Sequence, residues 1–590
     1  MGCLNILIMS LLLGLDLCVI GINARSRAHV GYVQERLTGD MRCNVPAQTM
    51  AGAVCGALRG SYYGHTYASF RGVPYARQPL GHLRFVAPQP VDPWDGFFNA
   101  SVEGPVCPQS DVLYGPMMQP LATDEDCLHV NVHAPVHHLP AWGRQCCGST
   151  CLPVLVFIHG GAFHSGSGDG DLNGPEYMID ENVVVVTFNH RLGPFGFLSL
   201  NSSSVPGNTG LRDMLAALRW VQDNIRAFGG DPHRVTLMGQ SAGASEAHML
   251  SLSECSEGLF QRLILMSGTA GSGFFTTRPS YAQNVKESFL KVLGINSTDA
   301  DEIHRQLVAL PAQALVDANS VLLASSGFVV FSPVVESQFN GVKRILDNDP
   351  DVLVGLGRGS QYTTLLGFTN NECASFRHRL DEVDIIGTIK KNPITILPAK
   401  LMYSVSPARQ AVDAQKMMDR YFDGNPSMED YIPACSDSFF IYPTLKLAKA
   451  RSMIGAPLYL YKFSFSSSFV PVKRAFGIDY GGAGHMDDLS YVLRVNSMLK
   501  DTMLNPRDEE MKDWMTRIVA KFVVCGNVTC TANARWRWPD VSCFSGKLCG
   551  VRWRLWYQDL SLPRWLMWPL SKEERSMINF FDQLYSSIDL

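Results

Sequence analysis

The sequence lacks any cluster of charge of one sign and any paired metal-binding spacing. Its 590 residues carry 50 Lys and Arg against 54 Asp and Glu, a formal net charge of −4, and these residues are scattered singly. Nucleic-acid binding needs clustered Lys and Arg that neutralise phosphates, so no nucleic-acid partner is expected. The clustered cysteines have neither the C-x-x-C pairs nor the partner histidines of a zinc site, so we predict no metal and no cofactor.

Long apolar segments are absent after the N-terminus. The one such stretch covers residues 4–22 and ends near the small residue Ala24, which is typical of a secretory signal. We therefore predict a signal peptide at residues 1–24. An uncleaved signal anchor stays open, because no Lys or Arg precedes the stretch whereas Arg25 and Arg27 follow it. No later segment approaches about 18 uninterrupted apolar residues, so stable membrane insertion of the mature chain is not expected.

Cysteines and glycosylation sequons agree with export. The chain has 16 cysteines, and loss of Cys3 and Cys18 with the signal leaves an even number, as disulfide pairing requires. Disulfides persist in oxidising compartments. Four N-x-S/T sequons predict glycosylation in the same compartments, at Asn99, Asn201, Asn296 and Asn527. The sequence therefore predicts a secreted, extracellular glycoprotein.

No Pro/Gly/Ser-rich linker, internal repeat or low-complexity tract divides the chain. After an irregular polar segment at residues 25–47, short runs rich in Val, Ile and Leu alternate with helical patterns; examples are LPVLVFIHGG, NVVVVTFNHR and MLAALRWVQDNIRAF. Continuous apolar runs of this length are typical of strands buried on both faces of a parallel sheet. From about residue 275 to 470 helical segments predominate. We predict an α/β fold with one large, doubly wound, mostly parallel sheet and helical insertions.

The pentapeptide GQSAG, with Ser241 at its centre, is the strongest local signal. It follows the strand-like run VTLM and precedes the helix-compatible ASEAHMLS. The α/β-hydrolase fold places its nucleophile on such a strand-to-helix turn, although a serine in an ordinary Gly-containing turn would give the same pattern. The N–H group of Ala242 is then a candidate oxyanion donor, and the glycine-rich FIHGGAF after the strand LPVLV is a candidate source of others.

A serine nucleophile needs a base and an acid, which in this fold class follow it in the order acid, then His. His485 lies within GGAGHMDDLS, on a glycine-rich loop after the late strand-like run APLYLYKFSF. Glu372 ends YTTLLGFTNNE, a strand-like run that closes in a loop. Many other carboxylates lie between Ser241 and His485, so the residues alone leave the acid open.

Several motifs together resemble the type B carboxylesterase and cholinesterase family. FGGDPHRVTLMGQSAG at residues 228–243 is similar to its active-serine pattern, and EDCLHVNV at residues 125–132 is similar to its second motif. The resemblance spans about residues 48–585 and implies one α/β-hydrolase domain over that range. It implies Ser241 as nucleophile, Glu372 as acid, His485 as base, oxyanion donors at Gly161, Ala162 and Ala242, and a disulfide between Cys107 and Cys127.

The chain departs from the family pattern near the serine. Gln240 replaces the usual Glu, which resembles insect juvenile hormone esterases and some other insect esterases, whereas Met214 stands where those hormone esterases commonly have Gln. Ala162 replaces the third glycine of the oxyanion loop. No Trp lies between Cys107 and Cys127, where cholinesterases place their cation-binding indole. A quaternary ammonium would lose its cation–π partner and a counter-charge, so choline esters are disfavoured.

The resemblance implies a secreted serine hydrolase that cleaves small neutral carboxylic esters through an acyl-enzyme. The alternative is a non-catalytic adhesion or binding protein, because the family includes such members. Those members generally lose a catalytic residue and often carry a membrane span, whereas this chain keeps all three residues and shows no such span. A lipase acting at an interface would need an apolar lid, and the sequence does not identify one.

Overall fold

The structure is a computed structural model that describes residues 43–326, 328–499, 503–530, 538–541, 555–564, 566–586 and 588. The expected signal peptide at residues 1–24 and most of the segment 25–47 lie outside the described residues. The first described strand begins at Pro46, and the disulfide Cys43–Cys55 fastens this strand's start to its neighbour.

Fourteen strands occur within the described residues. They are β1 Pro46–Gln48, β2 Ala53–Cys55, β3 Ala57–Gly60, β4 Thr66–Pro74, β5 Phe97–Asn99, β6 His129–Pro135, β7 Leu152–Ile158, β8 Val184–Phe188, β9 Gly230–Gln240, β10 Arg262–Met266, β11 Thr363–Thr369, β12 Leu458–Phe463, β13 Trp556–Leu560 and β14 Met567–Pro569.

Eighteen α-helices accompany these strands in the described part of the chain. They are α1 Glu176–Ile179, α2 Gly193–Phe197, α3 Thr209–Asn224, α4 Ala242–Leu252, α5 Pro279–Val292, α6 Ala300–Ala309, α7 Ala312–Ser326, α8 Pro350–Gly355, α9 Arg377–Glu382, α10 Ile385–Lys391, α11 Ala399–Met402, α12 Pro407–Tyr421, α13 Met428–Ser436, α14 Tyr442–Met453, α15 Pro471–Phe476, α16 Asn496–Leu499, α17 Pro506–Cys525 and α18 Lys572–Tyr585.

One eleven-stranded sheet forms the centre, in the order β14-β13-β12-β11-β10-β9-β7-β8-β6-β4-β3, and a small sheet contains β1, β2 and β5. Neighbouring strands from β8 to β13 run parallel, whereas the pairs at both edges are antiparallel. The prediction of a mostly parallel α/β-hydrolase sheet is confirmed.

The central elements form where the apolar patterns predicted them. Every residue of β7 and β8 is buried, which explains their uninterrupted Val, Ile and Leu. Helix α3 turns Leu215, Leu218 and Val221 into the core and places polar residues between them. Helix α4, directly after GQSAG, is buried along its whole length and therefore lacks a polar face.

Between β10 and β12 the described residues form helices α5 to α14 and one strand, β11. This agrees with the predominantly helical region predicted from about residue 275 to 470. The run APLYLYKFSF gives β12, but two further strands follow it. The first of these, β13, lies in a stretch whose sequence carried no clear strand pattern, and it extends the sheet beyond β12.

Five disulfides lie within the described residues: Cys43–Cys55, Cys107–Cys127, Cys146–Cys151, Cys373–Cys435 and Cys525–Cys530. Cys107–Cys127 is the pair that the family resemblance implied. Cys146–Cys151 and Cys525–Cys530 each close a short loop, and the spacing of the cysteines alone left these pairings open. Cys147 and Cys255 have no disulfide partner among the described residues, and Cys543 and Cys549 lie outside them.

Within the described ranges, no single helix has both the length and the apolar composition needed to cross a membrane. One bent pair, Ala300–Ala309 with Ala312–Ala324, passes that test by length and composition.

Candidate active site

Ser241 lies on a tight turn between β9 and α4 at the carboxyl edge of the sheet. Its φ of 59° and ψ of −125° are far from the conformations that a serine prefers, and such strain is typical of functional turns. The turn is packed so closely that a Cβ on Gly268 would clash with the carbonyl oxygen of Ser241. The Ser241 N–H donates to the carbonyl of Met266, 2.9 Å away, which fixes the turn to β10.

The loop that follows β7, the candidate oxyanion loop, is also strained. Gly161, Ala162 and Phe163 have φ values of 120°, 54° and 68° in succession, and a Cβ on Gly161 would clash with the carbonyl of Ser165. The N–H groups of Gly161 and Ala162 on this path, and that of Ala242 at the start of α4, have no hydrogen-bond partner among the described residues. Free N–H groups beside a nucleophile suit a developing oxyanion.

His485 and Glu372 form a buried pair. His485 lies in the loop between α15 and α16, and Glu372 begins a short 3₁₀ turn, Glu372–Phe376, after β11. The His485 Nδ1 atom is 2.6 Å from Glu372 Oε2, and the exposed fractions of the two side chains are 2% and 0%. The Thr369 N–H donates to the other oxygen of Glu372 at 2.7 Å. The carboxylate therefore fixes the imidazole proton on Nδ1 and leaves Nε2 as an acceptor.

The backbone strengthens this pair. The His485 N–H donates to the carbonyl oxygen of Glu372 at 3.0 Å, and the Ser375 hydroxyl donates to the carbonyl oxygen of His485 at 3.0 Å. Two loops that are distant in the sequence are thus joined at both the main-chain N–H and the main-chain carbonyl of His485.

Gln240 contacts the free side of the imidazole. Its Nε2 atom is 3.0 Å from His485 Nε2, and because Nδ1 carries the proton, the amide is the donor. The Ser241 hydroxyl has no hydrogen bond within the described residues. Gln240 departs from the family pattern in the sequence, but that departure did not predict its contact with His485.

Two aromatic rings flank His485, and sequence analysis missed them both. The ring centroids of Phe376 and Phe440 lie 5.0 Å and 4.5 Å from that of the imidazole. Phe440 belongs to a π-helical turn, Asp437–Ile441, that interrupts the helix between α13 and α14. Such turns are rare and often occur at functional sites.

Two further carboxyls lie beside His485 but do not contact its ring nitrogens. Burial raises the pKa of Asp487 to about 8, while the Gly484 N–H and the Tyr480 hydroxyl both donate to it. Burial also raises the pKa of Asp488 to about 6, and the Tyr461 hydroxyl donates to it at 2.8 Å. Glu372 is therefore the carboxylate that the geometry pairs with the His485 imidazole.

The cavity over these residues is small and mostly apolar. The centres of water-sized molecules can occupy about 20 Å³ of it. The side chains over Ser241 and His485 are those of Leu113, Tyr114, Met117, Phe376, Val472 and Met486. No group of three or more His, Cys, Asp or Glu in the described residues is arranged to hold a metal ion.

The sequon asparagines differ in exposure. Asn201 and Asn296 are exposed, whereas Asn99 and Asn527 are partly buried and their side-chain oxygens accept hydrogen bonds from the residues that follow them. Glycosylation at the four sites remains a prediction.

Comparison with known proteins identifies the family. The model of the carboxylesterase family matches residues 44–548. Juvenile hormone esterase of Heliothis virescens is 45% identical over 552 residues, which is 92% of this chain and 94% of that protein. Esterase FE4 of Myzus persicae is 33% identical over 498 residues, which is 82% of this chain and 85% of that protein.

The structural comparison gives the same result. The crystal structure of juvenile hormone esterase from Manduca sexta, with OTFP covalently attached, superposes with a TM-score of 0.86 at 45% identity. The match covers 92% of this chain and 99% of that one. The prediction of a carboxylic ester hydrolase that acts on small ester substrates is confirmed, and the adhesion alternative is not favoured. The chain belongs to the carboxylesterase family.

Proposed function

We propose that the protein is a secreted serine esterase that hydrolyses neutral carboxylic esters through an acyl-enzyme on Ser241. The observation that carries the proposal is the buried Glu372–His485 pair beside a strained serine turn with free N–H groups. Glu372, His485 and Ser241 then form the catalytic triad, and Gly161, Ala162 and Ala242 form the oxyanion hole.

In the first half of the reaction the Ser241 oxygen attacks the ester carbonyl carbon. His485 Nε2 takes the serine proton, and Glu372 stabilises the imidazolium through Nδ1–H. The carbonyl oxygen becomes negatively charged and accepts hydrogen bonds from the N–H groups of Gly161, Ala162 and Ala242. The tetrahedral centre then collapses, the carbon–oxygen bond to the alcohol breaks, and His485 returns its proton to the leaving alkoxide.

In the second half a water molecule attacks the acyl carbon. His485 Nε2 takes a proton from that water, the bond between Ser241 and the acyl carbon breaks, and the serine oxygen receives the proton. The carboxylic acid leaves and the enzyme is restored. For Nε2 to act as base, it must exchange its Gln240 partner for the serine hydroxyl at the start of each cycle.

The lining of the cavity supports neutral substrates. Among the described residues it contains no Asp, Glu, Lys or Arg, and Gln240 contributes an uncharged amide where the family usually has a carboxylate. A charged ester would lose its hydration in this apolar space without gaining a counter-charge. Juvenile hormone is the first physiological ester to test, because two of the compared proteins are named as its esterases.

Secretion and domain organisation are part of the proposal. We infer that residues 1–24 are removed and that residues 48–585 act as one catalytic domain. The five disulfides within the described residues support an oxidising compartment.

The test is hydrolysis of p-nitrophenyl acetate by the secreted protein, beside Ser241→Ala and after treatment with an organophosphate that phosphorylates activated serines. We expect turnover in the wild type, no turnover in Ser241→Ala, and a phosphoryl group on Ser241 by mass spectrometry. Ser251→Ala is the matched control, because it removes a buried hydroxyl from α4, the helix that follows Ser241, and should keep activity. Absence of both turnover and phosphorylation in folded wild type would contradict the proposal.

A further inference from the structure

One disulfide adjoins the acid of the proposed triad. Cys373 directly follows Glu372 and is bonded to Cys435, near the end of α13. The two cysteines are 62 residues apart in the sequence, whereas the other disulfides of the described residues span 5 to 20. Both cysteines are buried. The Cys373 N–H also donates to the hydroxyl of Ser436 at 2.9 Å, so a hydrogen bond runs beside the covalent link.

The two ends of this disulfide carry the surroundings of His485. On one side, the turn Glu372–Phe376 supplies the carboxylate, the Ser375 hydroxyl that holds the His485 carbonyl, and one flanking ring. On the other side, the π-helical turn that starts two residues after Cys435 supplies the second ring, Phe440. The disulfide therefore fastens together the two segments between which the imidazole lies.

The chain between the cysteines does not do this by itself. It passes through α9 to α12 before it reaches α13, and these helices lie in the helical insertion rather than in the sheet. Without the disulfide, the turn that carries Glu372 would be joined to α13 by packing, by the bond to Ser436 and, one residue beyond the turn, by the exposed Arg377–Glu429 ion pair. A displacement of about 1 Å in a catalytic group costs about a hundredfold in rate, so a small loosening here matters.

We propose that the Cys373–Cys435 disulfide is a positioning element of the acid–base pair, which holds the turn Glu372–Phe376 so that Glu372 keeps its hydrogen bond to His485. This inference rests on the proposed function, because it assigns Glu372 the role of acid. The disulfide itself does not touch the reacting atoms.

The first experiment replaces both cysteines, Cys373→Ala with Cys435→Ala, in the full secreted chain. With p-nitrophenyl acetate we expect kcat to fall about tenfold or more while KM changes less than about twofold, because the transition state loses its base geometry and substrate binding does not. The control removes Cys146–Cys151, at the amino end of β7 and at the opposite edge of the sheet from Ser241, and should leave kcat unchanged. An unchanged kcat in the Cys373/Cys435 variant would overturn the inference.

A second experiment separates positioning from general stability. The same double substitution is made in a Glu372→Gln background. The fold-loss in kcat on removal of the disulfide is then compared between the wild-type and the Glu372→Gln backgrounds. If the disulfide acts through Glu372, its removal costs less than about twofold once the carboxylate is gone. An equal loss in both backgrounds overturns the inference. Full activity in Glu372→Gln alone would instead contradict the proposed function, so the two failures are distinguishable.

If the double variant is not secreted in folded form, Ser436→Ala provides the test with the disulfide intact. It removes the acceptor of the Cys373 N–H, and we expect kcat to fall about two- to threefold at constant KM. A loss as large as that expected for the double cysteine variant would overturn the inference, because it would show that the hydrogen bond, and not the disulfide, holds the turn.

Discussion

The proposed nucleophile side, Ser241 with the loop 161–163, and the proposed acid–base side, Glu372 with His485, are held in different ways. On the nucleophile side, backbone packs against backbone: glycines around Ser241 leave no room for a Cβ, and the oxyanion loop takes a left-handed path through Ala162 and Phe163. On the acid–base side, most of the contacts that position His485 and Glu372 come from side chains. They are the carboxylate of Glu372, the hydroxyl of Ser375, two phenylalanine rings and a disulfide.

This difference predicts how each side fails. Added atoms should disturb the nucleophile side, because there is no space to accept them, whereas removed atoms should disturb the acid–base side, because contacts are lost. Variants that keep volume and change chemistry distinguish the two most clearly.

The largest effect should come from Glu372→Gln. The amide has nearly the same shape, but it can present an N–H to His485 Nδ1 and so favours the wrong tautomer. We expect kcat to fall about 10³- to 10⁴-fold with little change in melting temperature. Glu382→Gln, which neutralises a mostly exposed carboxylate nearby, is the control. A loss in kcat of less than about tenfold would mean that the carboxylate is not the acid of the triad.

The next effect should come from Gly268→Ala, which adds one methyl group on the nucleophile side. That methyl clashes with the Ser241 carbonyl, and the displaced turn should cost about 100-fold in kcat/KM. Gly271→Ala is the matched control in the same loop, since its Cβ would meet only side-chain atoms, the nearest at 3.3 Å. Equal activity of the two variants would show that this side is less rigid than its packing implies.

A smaller effect is expected from Phe440→Leu on the acid–base side. The substitution keeps an apolar side chain but loses the ring beside His485, and aromatic contacts of this kind contribute about 0.5–1.5 kcal/mol. That corresponds to a loss of about two- to tenfold in kcat. Phe439→Leu, on the same π-helical turn but without a ring contact to His485, should be near wild type.

The smallest effect concerns stability and not rate. The pKa of Asp487 is raised to about 8 by burial, so the folded protein keeps this carboxyl protonated while the unfolded chain ionises it from about pH 4 upward. The free energy of unfolding therefore declines as pH rises from about 4 to about 8. Asp487→Asn cannot ionise, so its stability should not show this decline. We expect the melting temperature of the variant to exceed that of wild type by a few degrees at about pH 8 and by less at about pH 5.

Asp479→Asn, which neutralises a fully exposed carboxylate in the same loop, controls for the loss of one negative charge. A difference between Asp487→Asn and wild type that is the same at both pH values would exclude the buried carboxyl as its source.

The nucleophile side was predictable because its signals are local. The strand, GQSAG and helix α4 are consecutive in the sequence, and the glycine-rich loop directly follows β7. The same holds for the central strands, whose apolar runs report burial on both faces. The α/β-hydrolase fold followed from these elements.

The acid–base side was not predictable in this way, because its contacts join distant segments. Composition could not select Glu372 among the available carboxylates without the family resemblance. An even count of cysteines predicted disulfides but not the pairing of Cys373 with Cys435. Gln240 and Phe440 are distant from His485 in the sequence and contact it only in the folded chain. Strand β13 is stabilised by pairing with β12 and β14, and its own sequence has no clear strand pattern.

The small apolar cavity over Ser241 has a consequence for selectivity. The centres of water-sized molecules can occupy about 20 Å³ here, so a bulky ester would have to displace the side chains above Ser241. Two of these, Met117 and Met486, are unbranched and adaptable. Selectivity would then depend on the free-energy cost of displacing these side chains for each substrate, and not on a rigid pocket shape. Across a homologous series of esters, rates should decline gradually with size instead of stopping at one chain length.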